Sequence, residues 1–178
     1  MLFRSLADAG AIADDAGALA SADAAPTEPP PPTGSKKIAK KQDPAWATCH
    51  ATFKAKTKDL AAEVQKLAKG CDAVTKMKPI GPPQKGKQDA KNVPQQVKLK
   101  GQAGKCYRVY AESEPTIKDL DLLVKDSAGD IGAEDSTDDT NPVLVEDGAF
   151  CFKDADEATL VISVGDGKGA YAFVIYSD

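Results

Sequence analysis

Asp119-Leu120-Asp121-Leu122-Leu123-Val124 is the stretch that decides the fold class of this chain. Acidic and apolar residues alternate over its first four positions, which is the two-residue period of a strand with one wet face and one buried face. A polar turn, Lys125–Asp130, follows directly. The stretch therefore predicts a small β-sandwich with acidic loops in the last part of the chain.

Residues 95–178 repeat this pattern of short strands separated by turn residues. Together with 120–125, the predicted strands are 96–100, 105–111, 142–146, 149–153, 158–164 and 170–176. Asn141-Pro142 and the glycine-rich run Gly165–Gly169 supply turns, because proline fixes φ and glycine allows positive φ. Several short strands at this spacing are typical of an all-β antiparallel sandwich.

Residues 43–71 form a predicted helical segment in front of the sandwich. Asp43 is a good N-cap, proline suits the first turn, and Lys69-Gly70 would end the helix. The apolar residues keep one helical face, at Trp46, Cys49, Phe53, Leu60, Val64, Leu67 and Cys71. The pattern permits one bent helix over 44–69 or a helical hairpin with its turn at 54–59 and Thr57 as the second cap.

The remaining segments lack such periodicity. Residues 1–42 are rich in Ala, Asp and Pro and are predicted to be a disordered tail or linker, because they cannot bury enough apolar surface to offset the entropy of ordering. Residues 72–94 contain many Pro, Gly and Lys residues and are predicted to be a connector. No run of eighteen apolar residues exists, so no transmembrane segment is expected.

The net charge of −4 conceals a strong partition along the chain. Residues 1–34 carry one basic residue and five acids, 35–105 carry seventeen lysines and five acids, and 106–178 carry five basic residues and seventeen acids. The lysines form either a solvated surface or a patch for an anionic partner, and a contact with the acidic end is another option. Nucleic acid is not expected as a partner, because arginine, which makes the bidentate contacts, is nearly absent.

Four cysteines, Cys49, Cys71, Cys106 and Cys151, match no zinc or redox CxxC spacing. Their even number fits two disulfides and an oxidising compartment. In a straight helix Cys49 and Cys71 would lie about 33 Å apart at 1.5 Å per residue, whereas a bond needs α-carbons within about 7 Å. Their pairing therefore requires the hairpin, which we favour. Cys106 and Cys151 lie in strands, with buried free thiols as the alternative.

The first residues lack a basic segment followed by an apolar one. An extracytoplasmic protein would then be a processed or trimmed form, or its start would be misplaced; free thiols are the third option. We expect the protein in the periplasm, at the outer membrane or secreted, with a lipid anchor as a candidate attachment.

The residues from 95 to 177 resemble the bacterial pre-peptidase C-terminal domain, a small jelly-roll-like sandwich. The likeness is carried by the strand Cys106–Ala111, the Asp119–Leu122 motif with Asp126–Gly129, the loop 135–139, and the strand pair 160–164 and 171–174. The helical segment and the cysteines depart from that pattern. The resemblance implies a binding, targeting or stabilising module and does not imply an enzyme.

The acidic loops suggest a metal. Calcium takes six to eight oxygen ligands, often from aspartates, and five aspartates are candidates: Asp119, Asp121, Asp135, Asp138 and Asp139. They would converge if the loop 130–141 folds beside the strand that carries the first two. The alternative is that Asp119 and Asp121 form the wet face of a strand and that the loop is simply solvated.

No residue set predicts catalysis. His50 is the single histidine and is expected on a helix surface, and no GxSxG motif accompanies it. We therefore expect a non-catalytic binding or structural module outside the cytoplasm, tethered by the N-terminal segment. The second hypothesis is an accessory subunit whose lysine-rich region docks to an anionic envelope polymer or protein. An enzyme of unrecognised type is the remote third.

Overall fold

A computed structural model describes residues 34–135 and 137–178, and every structural statement below concerns those residues. Two helices precede most of the sheet, α1 (Pro44–Ala47) and α2 (Leu60–Thr75). The nine strands are β1 (Ile38–Gln42), β2 (Lys78–Pro79), β3 (Gln84–Asp89), β4 (Gln95–Gly101), β5 (Cys106–Ser113), β6 (Ile117–Lys125), β7 (Ile131–Glu134), β8 (Gly148–Phe152) and β9 (Asp156–Ser177). The predicted mainly antiparallel β fold with a helical segment in front is confirmed.

The long strand β9 belongs to both layers of the sandwich. Its first half lies between β4 and β6, with β7 outside β6. Its second half lies between β5 on one side and β2 and β3 on the other, with β8 and β1 beyond β5. The run Gly165–Gly169 was predicted as a turn between two strands, but the strand continues through it. Gly167 has φ +92°, a value that favours glycine, where the chain passes from one layer to the other.

Two hydrophobic cores follow from this arrangement. The larger core fills the space between the layers and includes Leu120, Leu122 and Val124, the apolar residues of the alternating stretch in β6. The second core lies between α2 and the outer face of β5, β8 and β9, and it contains Trp46, Val64 and Leu67. Strand β5 is consequently buried on both faces along its whole length.

Strand β1 nearly closes one side of the sandwich. It pairs with β8 over all five of its residues, and just before it Gly34 forms a bridge to Ile131 of the other layer. The Ser35 amide donates to the Ile131 carbonyl at 2.8 Å, and Ile38 packs over Gly132, where a Cβ would collide with it. The tail predicted over 1–42 therefore ends earlier than expected, since residues 38–42 are a strand; residues 1–33 lie outside the described part of the chain.

The helical segment consists of two helices rather than one bent helix. Asp59, not Thr57, is the N-cap of α2, with its carboxylate accepting from the Ala62 amide. The Thr57 hydroxyl instead donates to Glu63 Oε1 at 2.8 Å. Helix α2 also runs past Gly70 and ends at Thr75, with Lys76 as its C-cap in the left-handed conformation. It continues because Cys71 and Thr75 extend its buried face, and this packing outweighs the helix-breaking tendency of glycine.

Two predictions about strands were wrong. The connector 72–94 contains β2 and β3, which pair with β9 although their side chains are mostly exposed. Residues 142–146 form only an isolated bridge, between Val143 and Tyr110. Val145 has φ +59°, which is unusual for a β-branched residue and lies outside the strand region, so the backbone does not continue as a strand there.

Candidate functional site

The structure joins the four cysteines as two disulfides. Cys49 and Cys71 have α-carbons 5.0 Å apart, and this bond ties the segment after α1 to the middle of α2. Cys106 and Cys151 face each other directly across β5 and β8, with α-carbons 3.9 Å apart. Both bonds lie in the second core, so they fasten the helices and the sheet beneath them.

Asp119 and Asp121, the two acids of the alternating stretch in β6, lie at one corner of the exposed face of β6 and β9. Asp119 and Asp121 share this face, opposite the buried Leu120 and Leu122, as the alternation predicted. Their carboxylates reach over Gly165, where a Cβ would overlap Asp119 Oδ2. The Oδ1 atom of Asp119 is buried and has no hydrogen-bond partner among the described residues.

Mutual repulsion and burial perturb these two acids. Burial raises the pKa of Asp119, and the carboxylates of Asp121, Asp138, Asp139 and Asp166 raise it further. Burial and Asp138 likewise raise the pKa of Asp121, while a hydrogen bond from Ser163 acts in the opposite direction. The loop therefore brings the Asp138 carboxylate close enough to raise the pKa of both Asp119 and Asp121.

The predicted calcium ligands do not converge into a tight group. Asp135 accepts from the Thr137 amide at 3.2 Å and from its hydroxyl at 2.8 Å, and Asp139 accepts from the Asn141 amide at 3.0 Å. Within residues 34–135 and 137–178, no three carboxylates have oxygens within 4.8 Å of one another. Cys49, His50 and Cys71 do satisfy that spacing, but both sulfurs are engaged in the disulfide. Calcium binding remains a prediction.

We expect Asp119→Asn to raise the melting temperature at pH 7 and to have little effect at pH 3. The pKa of Asp119 is higher in the folded protein than in the unfolded chain. Its contribution to the free energy of unfolding is therefore favourable below the unfolded pKa and is lost as the pH rises through the folded pKa. Thermal unfolding of both proteins at the two pH values tests this. An unchanged or lower melting temperature at pH 7 would contradict it.

The same two proteins decide the calcium hypothesis. If the acids bind calcium, the ion should raise the melting temperature of the wild type and do so less for Asp119→Asn, because a cation relieves the repulsion only where the ligands remain. Isothermal titration without heat, together with no melting shift for the wild type, would exclude calcium.

A buried cluster of side chains around Arg108 lies under α1, and no local sequence pattern predicts it. Arg108 is fully buried; its guanidinium carbon lies 5.6 Å from the centre of the Trp46 ring and 5.2 Å from that of Tyr110. Its Nη2 donates to the Glu146 carbonyl at 2.9 Å, next to the turn at Val145. Burial lowers the pKa of Arg108 and raises that of Tyr110 to about 12. The guanidinium thus fixes the loop between β7 and β8 against α1.

His50 belongs to the same cluster and is not on a helix surface as predicted. It is only 6% exposed and lies after α1, with Nε2 3.6 Å from Glu146 Oε1. Burial lowers its pKa and Arg108 lowers it further, whereas Glu146 opposes the shift. The neutral imidazole is therefore favoured, and the group acts as a packing element between a disulfide and a buried cation.

Two acids face each other between α2 and the sheet. Glu63 receives hydrogen bonds from Lys66, Thr57 and the Lys56 amide, and these hold its pKa down at about 2. Glu112 of β5 is only 5% exposed, and its Oε2 has no partner among the described residues. Burial, and then the charges of Glu63 and Asp139, raise the pKa of Glu112 to about 7.

A cleft lies where the edges of the two layers part, on the side opposite β1. We call it the edge cleft; it has a volume of about 230 Å³. Apolar residues and lysines line it together: Ile80, Val97, Lys98, Lys100, Val174 and Ile175. An adjoining depression shares Ile80 and Lys100 and adds Lys78 and Lys105. Four of the seventeen lysines of the basic region thus surround one concave surface.

No protein-family model matches the chain, and no curated protein matches its sequence. None of the helices in the described part of the chain is long and apolar enough to cross a membrane.

Proposed function

We propose that this protein is a non-catalytic binding or structural module that works outside the cytoplasm and is attached through its N-terminal segment. The two disulfides carry the proposal. Each links residues distant in the sequence within a buried layer, and such bonds persist in secreted and periplasmic proteins but not in a reducing cytosol.

The resemblance to the pre-peptidase C-terminal domain supports the same class of function. Its motif residues fall where a sandwich needs them, with Leu120 and Leu122 in the core and Asp119 and Asp121 on the wet face. Membership of that family is part of the proposal. The buried His50, Arg108 and Glu112 lie beneath the helices rather than in an open cleft, and we propose no catalytic role for them.

A peptide map of the protein recovered from its native compartment under thiol-blocking, non-reducing conditions tests the proposal. We expect one cross-linked pair containing Cys49 and Cys71 and another containing Cys106 and Cys151, with no alkylated thiol. Recovery of all four cysteines as alkylated thiols would place the protein in a reducing compartment and overturn the proposal.

A second candidate is an accessory subunit that docks to an anionic envelope polymer or protein through its lysine-rich region. The observation that favours it is the edge cleft, where Lys78, Lys98, Lys100 and Lys105 collect around an apolar floor. Scattered lysines would serve solubility alone, whereas lysines around a concave apolar surface suit a ligand that is both anionic and partly apolar.

A further inference from the structure

The strand edges on the two sides of the sandwich differ in whether another strand covers them. On one side β1 covers the edge of β8 and reaches β7 through the bridge at Gly34. On the other side β3 and β4 each pair only with β9 among the described residues, so their outer edges present backbone N–H and C=O groups without a strand partner. An unpaired edge of this kind is a template for an added strand.

Apolar groups lie beside this open edge. Ile80, in the turn between β2 and β3, is 52% exposed, one of few large apolar side chains so exposed in the described chain. Val97 of β4 is half-buried and packs against the main core. Ile175 of β9, whose side chain belongs to the main core, forms the floor between them. A strand laid against β4 could therefore bury every second side chain in the edge cleft.

The other face of the same edge is cationic. Lys98 and Lys100 are exposed and alternate with Val97 and Leu99, so they point away from the core. Across β9, Lys98 faces Thr159 and donates to its hydroxyl at 3.1 Å, while Lys100 faces Glu157. Lys105 donates to the Asp178 carbonyl at 2.8 Å. Two acids, Glu157 across β9 and Asp178 in the adjoining depression, stand against four lysines, Lys78, Lys98, Lys100 and Lys105, which leaves an excess of positive charge at this edge.

We infer that the outer edge of β4 is the docking site for an extended acidic peptide segment of a partner protein. The segment adds to the sheet as a strand. Its apolar residues enter the edge cleft beside Ile80 and Val97, and its alternate acidic residues lie opposite Lys98 and Lys100. This inference rests on the second candidate function and specifies its ligand, because directly opposed charges of opposite sign stabilise neighbouring strands.

Two other occupants of the β4 edge fit its lysines, amides and apolar floor less well. A second copy of this chain, added edge to edge through β4, would bring lysines against lysines, and like charges opposite one another destabilise a strand pair. An anionic polysaccharide would satisfy the lysines but would leave the β4 amides and the apolar floor without partners. An acidic strand can pair with the lysines, hydrogen-bond to the β4 backbone and place apolar side chains in the cleft at the same time.

The test uses the full-length, disulfide-intact protein and a fluorescein-labelled ten-residue peptide of alternating glutamate and valine. Fluorescence anisotropy should show saturable binding that weakens with added salt, because the charge pairs are exposed. Lys98→Glu/Lys100→Glu should weaken it by about tenfold or more, since two attractive pairs become repulsive. The matched control, Lys58→Glu/Lys69→Glu, makes the same change of charge at exposed sites remote from the cleft in sequence and should bind as the wild type does.

Two further readouts separate strand addition from charge attraction. The same peptide with alternate amides N-methylated keeps its charges but cannot pair with an edge, so it should lose binding. Amide hydrogen exchange over 97–100 should slow when the unmodified peptide binds. Equal binding of the methylated peptide, equal binding by the lysine-reversal variant, or tighter binding of dextran sulfate without protection of 97–100 would overturn the inference. So would concentration-dependent dimerisation through β4 in sedimentation experiments.

None of these measurements depends on the compartment in which the protein resides. Failure of the peptide to bind would therefore remove the β4 docking site and leave the cysteine map to decide the proposed function separately.

Discussion

Loss of the Cys106–Cys151 bond should lower the free energy of unfolding by about 4 kcal/mol. The bond closes a loop of 45 residues, and in the chain-entropy description it stabilises the fold by restricting the unfolded chain. The Cys106→Ser/Cys151→Ser variant should show this loss in urea unfolding at pH 7 without reductant. The pair lies directly across β5 and β8, so the strands can remain paired in the variant.

The second disulfide is the matched control for this prediction. Cys49 and Cys71 enclose only 22 residues, and the same description gives about 3 kcal/mol for their loss. The two loops do not overlap in the sequence, so the effects should add approximately in the quadruple variant. A larger loss for Cys49→Ser/Cys71→Ser than for the other pair would contradict the loop-length explanation and point to packing of the helical layer instead.

Glu112→Gln should stabilise the protein by up to about 3 kcal/mol at pH 8 and change it little at pH 4. The pKa of Glu112 rises from 4.5 to about 7 on folding, and a tenfold change in a proton-binding constant corresponds to about 1.4 kcal/mol. Because its pKa is raised on folding, Glu112 contributes fully to the free energy of unfolding below its unfolded pKa, and this contribution is lost as the pH rises through about 7. The wild type should therefore lose stability between pH 4.5 and pH 8, and the amide variant should lose less.

Urea unfolding at half-unit pH steps measures this difference. Glu134→Gln is the matched control, because it makes the same substitution at an exposed position at the end of β7. Parallel profiles for the wild type and Glu112→Gln would show that Glu112 is already compensated in the folded protein. A loss of stability at every pH would instead show that its carboxylate has a structural partner.

Local patterns predicted the parts of the fold that depend on local geometry. The alternation in Asp119–Leu122 assigned both faces of β6 correctly, because in a strand neighbouring side chains necessarily point to opposite sides. The three- and four-residue spacing likewise located the buried face of α2, because residues that far apart lie on one face of a helix. The helix ends were missed, since Gly70 is tolerated within a packed helix and Lys76, rather than a glycine, takes the left-handed cap.

Features that depend on distant contacts could not be predicted in this way. Strand β3, Gln84–Asp89, contains no large apolar residue, and only its pairing with β9 makes it a strand. The burial of Arg108 and Glu112 in β5 could not be predicted, because nothing nearby in the sequence shows that α1 and α2 cover that face. Whether the loop aspartates would meet Asp119 and Asp121 depended likewise on the path of the loop after β7, which carries no periodic signal, and they form no tight group in the described part of the chain.

The position of β9 in the chain governs when the protein can fold. Five strands, β2 to β6, pair with β9, and all of them precede it. Strands β2 to β6 therefore leave the ribosome before the strand that joins them, and until then, of the described strand pairs, only those of β8 with β1 and β5 and of β6 with β7 can form. We expect neither layer to be complete until β9 has been synthesised and has paired with the strands of both layers.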